Sequence, residues 1–217
     1  MIKKIKQIIS PSQDTPEQAQ AGSGEEKKII LIDPGSSGPP EPDMRVVGLF
    51  ADVNEEKIAE ILHNMLFFNE VNIQSNEDDK KPITFYLSTY GGNADDMFAM
   101  YDMMRKIRET TEIHTVGLGK VMSAGVLMLA AGTKGKRTVG KNCRIMIHSV
   151  MGGNHGSLHN MMNEMEAIEQ LQDMYCDALI SETKLTRVKL KKMLERKVNV
   201  YLSAEEAVEL GIADEII

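Results

Sequence analysis

From Arg45 onward the chain alternates between two rhythms of apolar and polar residues. Short apolar runs mark strands, and apolar residues spaced i, i+3, i+4, i+7 mark helix faces. Residues 45–50 read as a strand. Asn54 can cap a helix that carries Ile58, Ile61, Leu62, Met65 and Leu66. A polar loop at 69–81 precedes a strand at 83–87. A Gly91-Gly92 turn follows, then a helix with Met97, Met100, Tyr101, Met104 and Ile107 on one face. The pattern continues with a strand at 113–118, a helix at 123–131 stopped by Gly132, and short strands at 137–139 and 144–147. Such alternation predicts an α/β layer architecture.

The rhythm then changes. Residues 158–183 read as one long helix, with Leu158, Met161, Met162, Met165, Ile168, Leu171, Tyr175 and Leu179 at apolar positions. At 1.5 Å per residue it spans about 39 Å, more than a small domain needs to cover one sheet. It is expected to project and pack on another subunit. Thr186 caps a further helix reaching 195. Ser203 and Glu206 form a capping-box pattern ahead of a short helix, Gly211 and a last strand at 212–217.

Composition narrows the class. Residues 10–43 are rich in Ser, Gln, Gly, Pro and Glu, broken only by a strand-like run at 29–32, so residues 1–43 are expected to form a mobile N-terminal segment. A net charge of −7 argues against generic nucleic-acid binding. The two cysteines, Cys143 and Cys176, have no zinc-like spacing and read as reduced thiols. No apolar run approaches the roughly 18 residues of a membrane span, and the basic start is too short and interrupted for a signal peptide. A cytoplasmic protein without a cofactor or bound metal is expected. The sixteen methionines read as core filler.

Three segments can carry chemistry. Ser123 stands where a strand gives way to a small-residue helix, and free N–H groups there stabilise developing negative charge. By itself that serine is also an ordinary N-cap. Gly91-Gly92 follows a strand, so the Gly92 and Ala124 amides can converge on one oxygen as an oxyanion hole. His148 ends a short strand before a glycine turn, better sited than His63, His114, His155 or His159.

The strand–GG–helix, the run VMSAGVLMLAAGTKGKR, the turn MIH…GG, the long helix and the ending YLSAEEAVELGIADEI together resemble the ClpP family, the proteolytic subunits of the Clp proteases. The likeness covers residues from about 45 to 217. It implies a ClpP/crotonase-like spiral of βαβ units at 44–217, with 158–183 as a protruding handle helix. It also implies rings of seven that stack into a chamber, homo-oligomeric or mixed with another ClpP-like subunit. The expected activity is serine endopeptidase hydrolysis of unfolded polypeptides. Ser123 would be the nucleophile, His148 the base, and Gly92 and Ala124 the oxyanion donors. The chain has no Walker A motif, so ATP hydrolysis would belong to an AAA+ unfoldase partner.

Departures from the family pattern matter. The third triad position is Asn199 instead of aspartate, and asparagine orients the histidine without adding charge. The alternative reading is therefore a weakly active or inactive structural or regulatory ring subunit. Thr89-Tyr90 replaces the usual Ser-Pro. Leu66, Phe67 and Tyr86 match the family's unfoldase-docking pocket, whereas Lys106 and Thr138 stand where aromatic residues are common.

Overall fold

The predicted strand runs assemble into a single sheet. The computed structural model describes residues 44–217 except 154 and 196–198; the reading of 1–43 and of the run at 29–32 lies outside the described residues. Among the described residues the strands are Val46–Leu49 (β1), Ile83–Thr89 (β2), Ile113–Met122 (β3), Arg137–Val139 (β4), Arg144–Ile147 (β5), Val200–Leu202 (β6) and Glu215–Ile216 (β7). The helices are Glu55–Gln74 (α1), Ala94–Ile107 (α2), Ala124–Ala130 (α3), Leu158–Glu182 (α4), Arg187–Leu194 (α5) and Ala204–Glu209 (α6). The main path runs β1-β2-β3-β4-β7, all parallel; β5 pairs parallel with β3 and antiparallel with β6.

Strand β3 is what builds the site edge, and it is longer than the sequence pattern predicts. Its first part pairs with β4 (Thr115↔Arg137 to Gly117↔Val139), and its second with β5 (Lys120↔Arg144 to Met122↔Met146). The glycines that read as a strand end are a kink inside it. Between Leu87↔Gly117 and Thr89↔Val121, β2 advances two residues while β3 advances four, and Gly119 absorbs the irregularity at φ 63°. Beyond the kink Val121 and Met122 are buried, which re-engages the strand with a new partner.

Packing follows the residue periodicity. Along β2, Ile83, Phe85, Leu87 and Thr89 are buried, while the intervening residues are half-exposed. The predicted face of α2 (Met97, Met100, Tyr101, Met104, Ile107) is wholly buried. Each such apolar side chain contributes about 1.5–3 kcal/mol by leaving water. Helix α3 is buried on every side, as expected for a segment with no polar face.

Besides β3, three elements differ from the sequence reading. Helix α1 continues through the predicted loop to Gln74 because Asn72, a polar residue, is buried within a hydrogen-bond network. It donates to Thr111 Oγ1 (2.9 Å) and to the Lys81 carbonyl (2.8 Å), and accepts from Arg45. Strand β6 is absent from the sequence pattern, and the last strand is reduced to Glu215–Ile216.

The long helix is α4, ending at Glu182. That end is locked: the Glu182 carboxylate accepts from Arg108 Nη2 (2.7 Å) and Tyr101 Oη (3.3 Å) and pairs with Lys134 (3.0 Å). Burial alone would raise the Glu182 pKa. The Arg108 and Lys134 hydrogen bonds and charges outweigh it and hold the carboxyl below its usual range. The opposite end of α4, residues 158–167, is exposed throughout. None of the described helices is long and apolar enough to cross a membrane.

Candidate active site

Strands β2, β3 and β5 all end at one edge of the sheet, where ligands bind in parallel α/β folds. Thr89 pairs with Val121 and Met122 with Met146, so Gly91-Gly92, Ser123 and His148 leave that edge side by side. They line a cleft of about 600 Å³, together with Ala124 and Tyr175. That volume lies within the ordinary range of ligand-binding clefts.

Ser123 stands at the N-cap position of α3, but its side chain does not cap the helix. Its φ of 53° and ψ of −121° lie outside the N-cap region, and its side chain makes no capping bond. Among the described residues it is the one non-glycine with positive φ. Holding a residue there costs of order 1–3 kcal/mol and persists only if neighbours over-determine it. They do: the Ser123 N–H donates to the Met146 carbonyl (2.8 Å). The Ser123 carbonyl accepts from Val126 N (3.0 Å) and from Tyr175 Oη (3.1 Å). The buried Tyr175 hydroxyl has its pKa pushed up, first by desolvation and then by Cys176, so it stays a donor.

Gly91, at φ 99°, packs against this turn. A β-carbon on it would stand 2.6 Å from Ser123 Cβ and 2.9 Å from the Met122 carbonyl oxygen. Only glycine fits. Gly92 is joined to Val53 by an isolated parallel bridge that uses the Gly91 carbonyl and the Asn93 N–H. That leaves the Gly92 N–H without a partner among the described residues. The Ala124 N–H opens α3 and likewise has none.

His148 is half-buried, and its Nδ1 lies 2.5 Å from the Ser149 carbonyl oxygen. A carbonyl only accepts, so Nδ1 carries the hydrogen and Nε2 of the neutral ring keeps its lone pair. That is the tautomer a general base needs. Asn199 is placed differently. It precedes β6, and one further step of the Ile147↔Val200 register sets it opposite His148. It is exposed, forms no wall of the cleft and makes no hydrogen bond to the ring. Among the described residues the cleft walls include Asp52, Asp95 and Glu164 and no Lys or Arg, although Lys120 Nζ lies over the ring of the lining residue Tyr90 at 4.6 Å.

The structure thus brings Ser123, His148, Gly92 and Ala124 together and leaves Asn199 aside. Leu66 and Phe67 are exposed on α1, and Tyr86 is half-exposed on β2. Sequence reasoning missed the hydroxyl of Tyr175, which reads in the sequence as one more apolar position of α4.

The family model for Clp protease matches residues 43–217. The chain belongs to the Clp protease family, a family of peptidases.

Proposed function

We propose that this chain is the serine endopeptidase subunit of a Clp-type ATP-dependent protease. The observation that carries the reading is Ser123. Its backbone is held in a strained conformation by three hydrogen bonds, its hydroxyl caps nothing, and it shares a cleft with His148. Strain maintained at a functional position is the signature of a side chain kept in place for chemistry.

In this reading Ser123 Oγ attacks the scissile carbonyl carbon and His148 Nε2 takes its proton. The Gly92 and Ala124 amides hold the oxygen as it gains charge. Collapse expels the amine, which takes the proton from Nε2 and leaves an acyl-enzyme. Water then attacks and gives its proton to Nε2; collapse of this second tetrahedral intermediate releases the acid, and the departing Ser123 Oγ takes the proton back from Nε2. Substrates are unfolded polypeptides. Residues 44–217 act as the peptidase domain, α4 as the handle between stacked rings of seven, and an AAA+ unfoldase docks over Leu66, Phe67 and Tyr86. The setting is cytoplasmic.

A fluorophosphonate probe tests this reading. Covalent labelling of the assembled wild-type chain, abolished in Ser123→Ala, supports it. Assembled rings that fail to label would overturn it in favour of a silent ring subunit. That second reading draws on one observation, the exposed Asn199 with no bond to the His148 ring.

A further inference from the structure

One turn of α4 touches both halves of the candidate site. Tyr175 holds the Ser123 carbonyl at 3.1 Å. Three residues earlier, Gln172 Oε1 accepts from the Val150 N–H at 2.6 Å, and its Nε2 lies 3.2 Å from Cys176 Sγ. The orientation of the Gln172 amide is fixed, because a backbone N–H only donates and so must face the oxygen. The NH₂ end is then left to the sulfur, one helical turn on.

The bond to Val150 matters because of what the same peptide group does on its other side. The Ser149 carbonyl and the Val150 N–H belong to one peptide plane, and no described peptide bond is cis. In a trans plane the C=O and N–H point in opposite directions. The carbonyl receives His148 Nδ1–H, and the N–H is received by Gln172. The run Gln172 Oε1, Val150 N–H, Ser149 C=O, His148 Nδ1–H is therefore a single hydrogen-bonded chain. Each bond polarises the next, and rotation of the peptide plane would break both ends at once.

We infer that Gln172 is a positioning residue that orients His148 through the Ser149–Val150 peptide group, supplying the orienting part of the role that a carboxylate holds in a Ser-His-Asp triad. This rests on the peptidase reading of Ser123 and His148, and it accounts for a usable base without help from Asn199. A triad carboxylate orients the ring and also stabilises its charged form; the peptide group does the first through its carbonyl and adds only a dipole toward the second.

The test compares Gln172→Leu, which removes the acceptor at similar size, with Gln172→Glu, which keeps it. Hydrolysis of a short chromogenic peptide by the assembled full chain should lose about tenfold to a hundredfold in kcat in Gln172→Leu, at a KM within about twofold, the scale expected for a base moved off line. Gln172→Glu should restore most of that loss. The second readout does not depend on activity: ¹⁵N NMR of histidine-labelled Ser123→Ala chains, with His148 assigned by its loss in His148→Gln. Nδ1–H should dominate with Gln172 present and give way to a tautomer mixture in Gln172→Leu. An unchanged tautomer in Gln172→Leu would overturn the inference, as would activity in Gln172→Glu falling as far as in Gln172→Leu. Failure of the wild-type chain to label at Ser123 would remove the peptidase reading alone, because the tautomer comparison still decides the role of Gln172.

Discussion

Gly91 and Ser123 stand so close that a methyl group on the first would reach within 2.6 Å of the β-carbon of the second. Both residues also have positive φ, 99° and 53°. A glycine turn and the strained Ser123 turn are thus pressed together at the cleft. In Gly91→Ala the new methyl must displace the Ser123 turn, since the other near atoms, the Met122 oxygen and the Ala124 nitrogen, are backbone and cannot swing aside. The expected outcome is a folded chain, destabilised by about 1–3 kcal/mol, whose Ser123 labelling rate falls by about a hundredfold. Thermal unfolding and probe labelling on the same sample check this. Normal labelling in Gly91→Ala would show that the contact does not set the serine.

Asp214 closes the far side of the sheet and makes stability depend on pH. Its carboxylate accepts from Arg137 Nε (2.8 Å) and Nη2 (2.5 Å) and from the Gly135 (2.8 Å) and Arg137 (3.0 Å) amides. The Arg137 hydrogen bond, ahead of the smaller opposing effect of burial, holds the Asp214 pKa below its usual value. A carboxyl depressed in the folded state contributes stability fully above its unfolded value, about 3.9, and loses it as pH falls through the lower folded value. Denaturant unfolding should therefore show this contribution intact from neutrality to about pH 5 and shrinking below about pH 4. Asp214→Asn should remove that part of the acid dependence. At pH 7 it should cost about 2–3 kcal/mol, because the buried Arg137 guanidinium loses its counter-charge.

Asn199→Asp separates orientation from charge. An aspartate-to-asparagine change in a serine protease triad costs about four orders of magnitude, largely through the wrong tautomer. Here the Ser149 carbonyl already selects the tautomer. Restoring the carboxylate should therefore raise kcat/KM for a short peptide by about tenfold at most, far short of that full factor. A gain of several thousandfold would mean that His148 is poorly oriented in the wild-type chain.

Most of the architecture is legible in the sequence because apolar spacing and caps are local signals. Asn54, Thr186 and the Ser203–Glu206 box cap the helices whose starts they mark in the sequence. Asn72 shows where such reading stops: a polar residue in the last turn of α1 looks like a loop until Arg45, Thr111 and Lys81 surround it. Strand β6 is invisible for a similar reason, since its three residues acquire strand character only by pairing with β5. At the site, residue order along the chain points to Ser123, His148, Gly92 and Ala124. It cannot reveal that Ser123 adopts positive φ, or that Gln172 meets the peptide plane behind His148. Those depend on a contact 22 residues apart in the chain (150 to 172) and on backbone angles that no side-chain pattern encodes.

The exposed end of α4 has a chemical consequence beyond packing. Met161, Met162 and Met165 are 40%, 61% and 59% exposed and lie on one face of the helix, so three thioethers there are open to peroxide. Oxidation turns each from a flexible apolar group into a polar, chiral sulfoxide. Any polypeptide seated on that face shields the sulfurs, and sulfoxides already formed would be poor company for it. The oxygen atoms gained by the peptide spanning 158–182, counted by mass spectrometry, would record how much of the helix stood bare when the oxidant arrived. The same atoms would mark which chains have lost an apolar surface for good unless a reductase restores it.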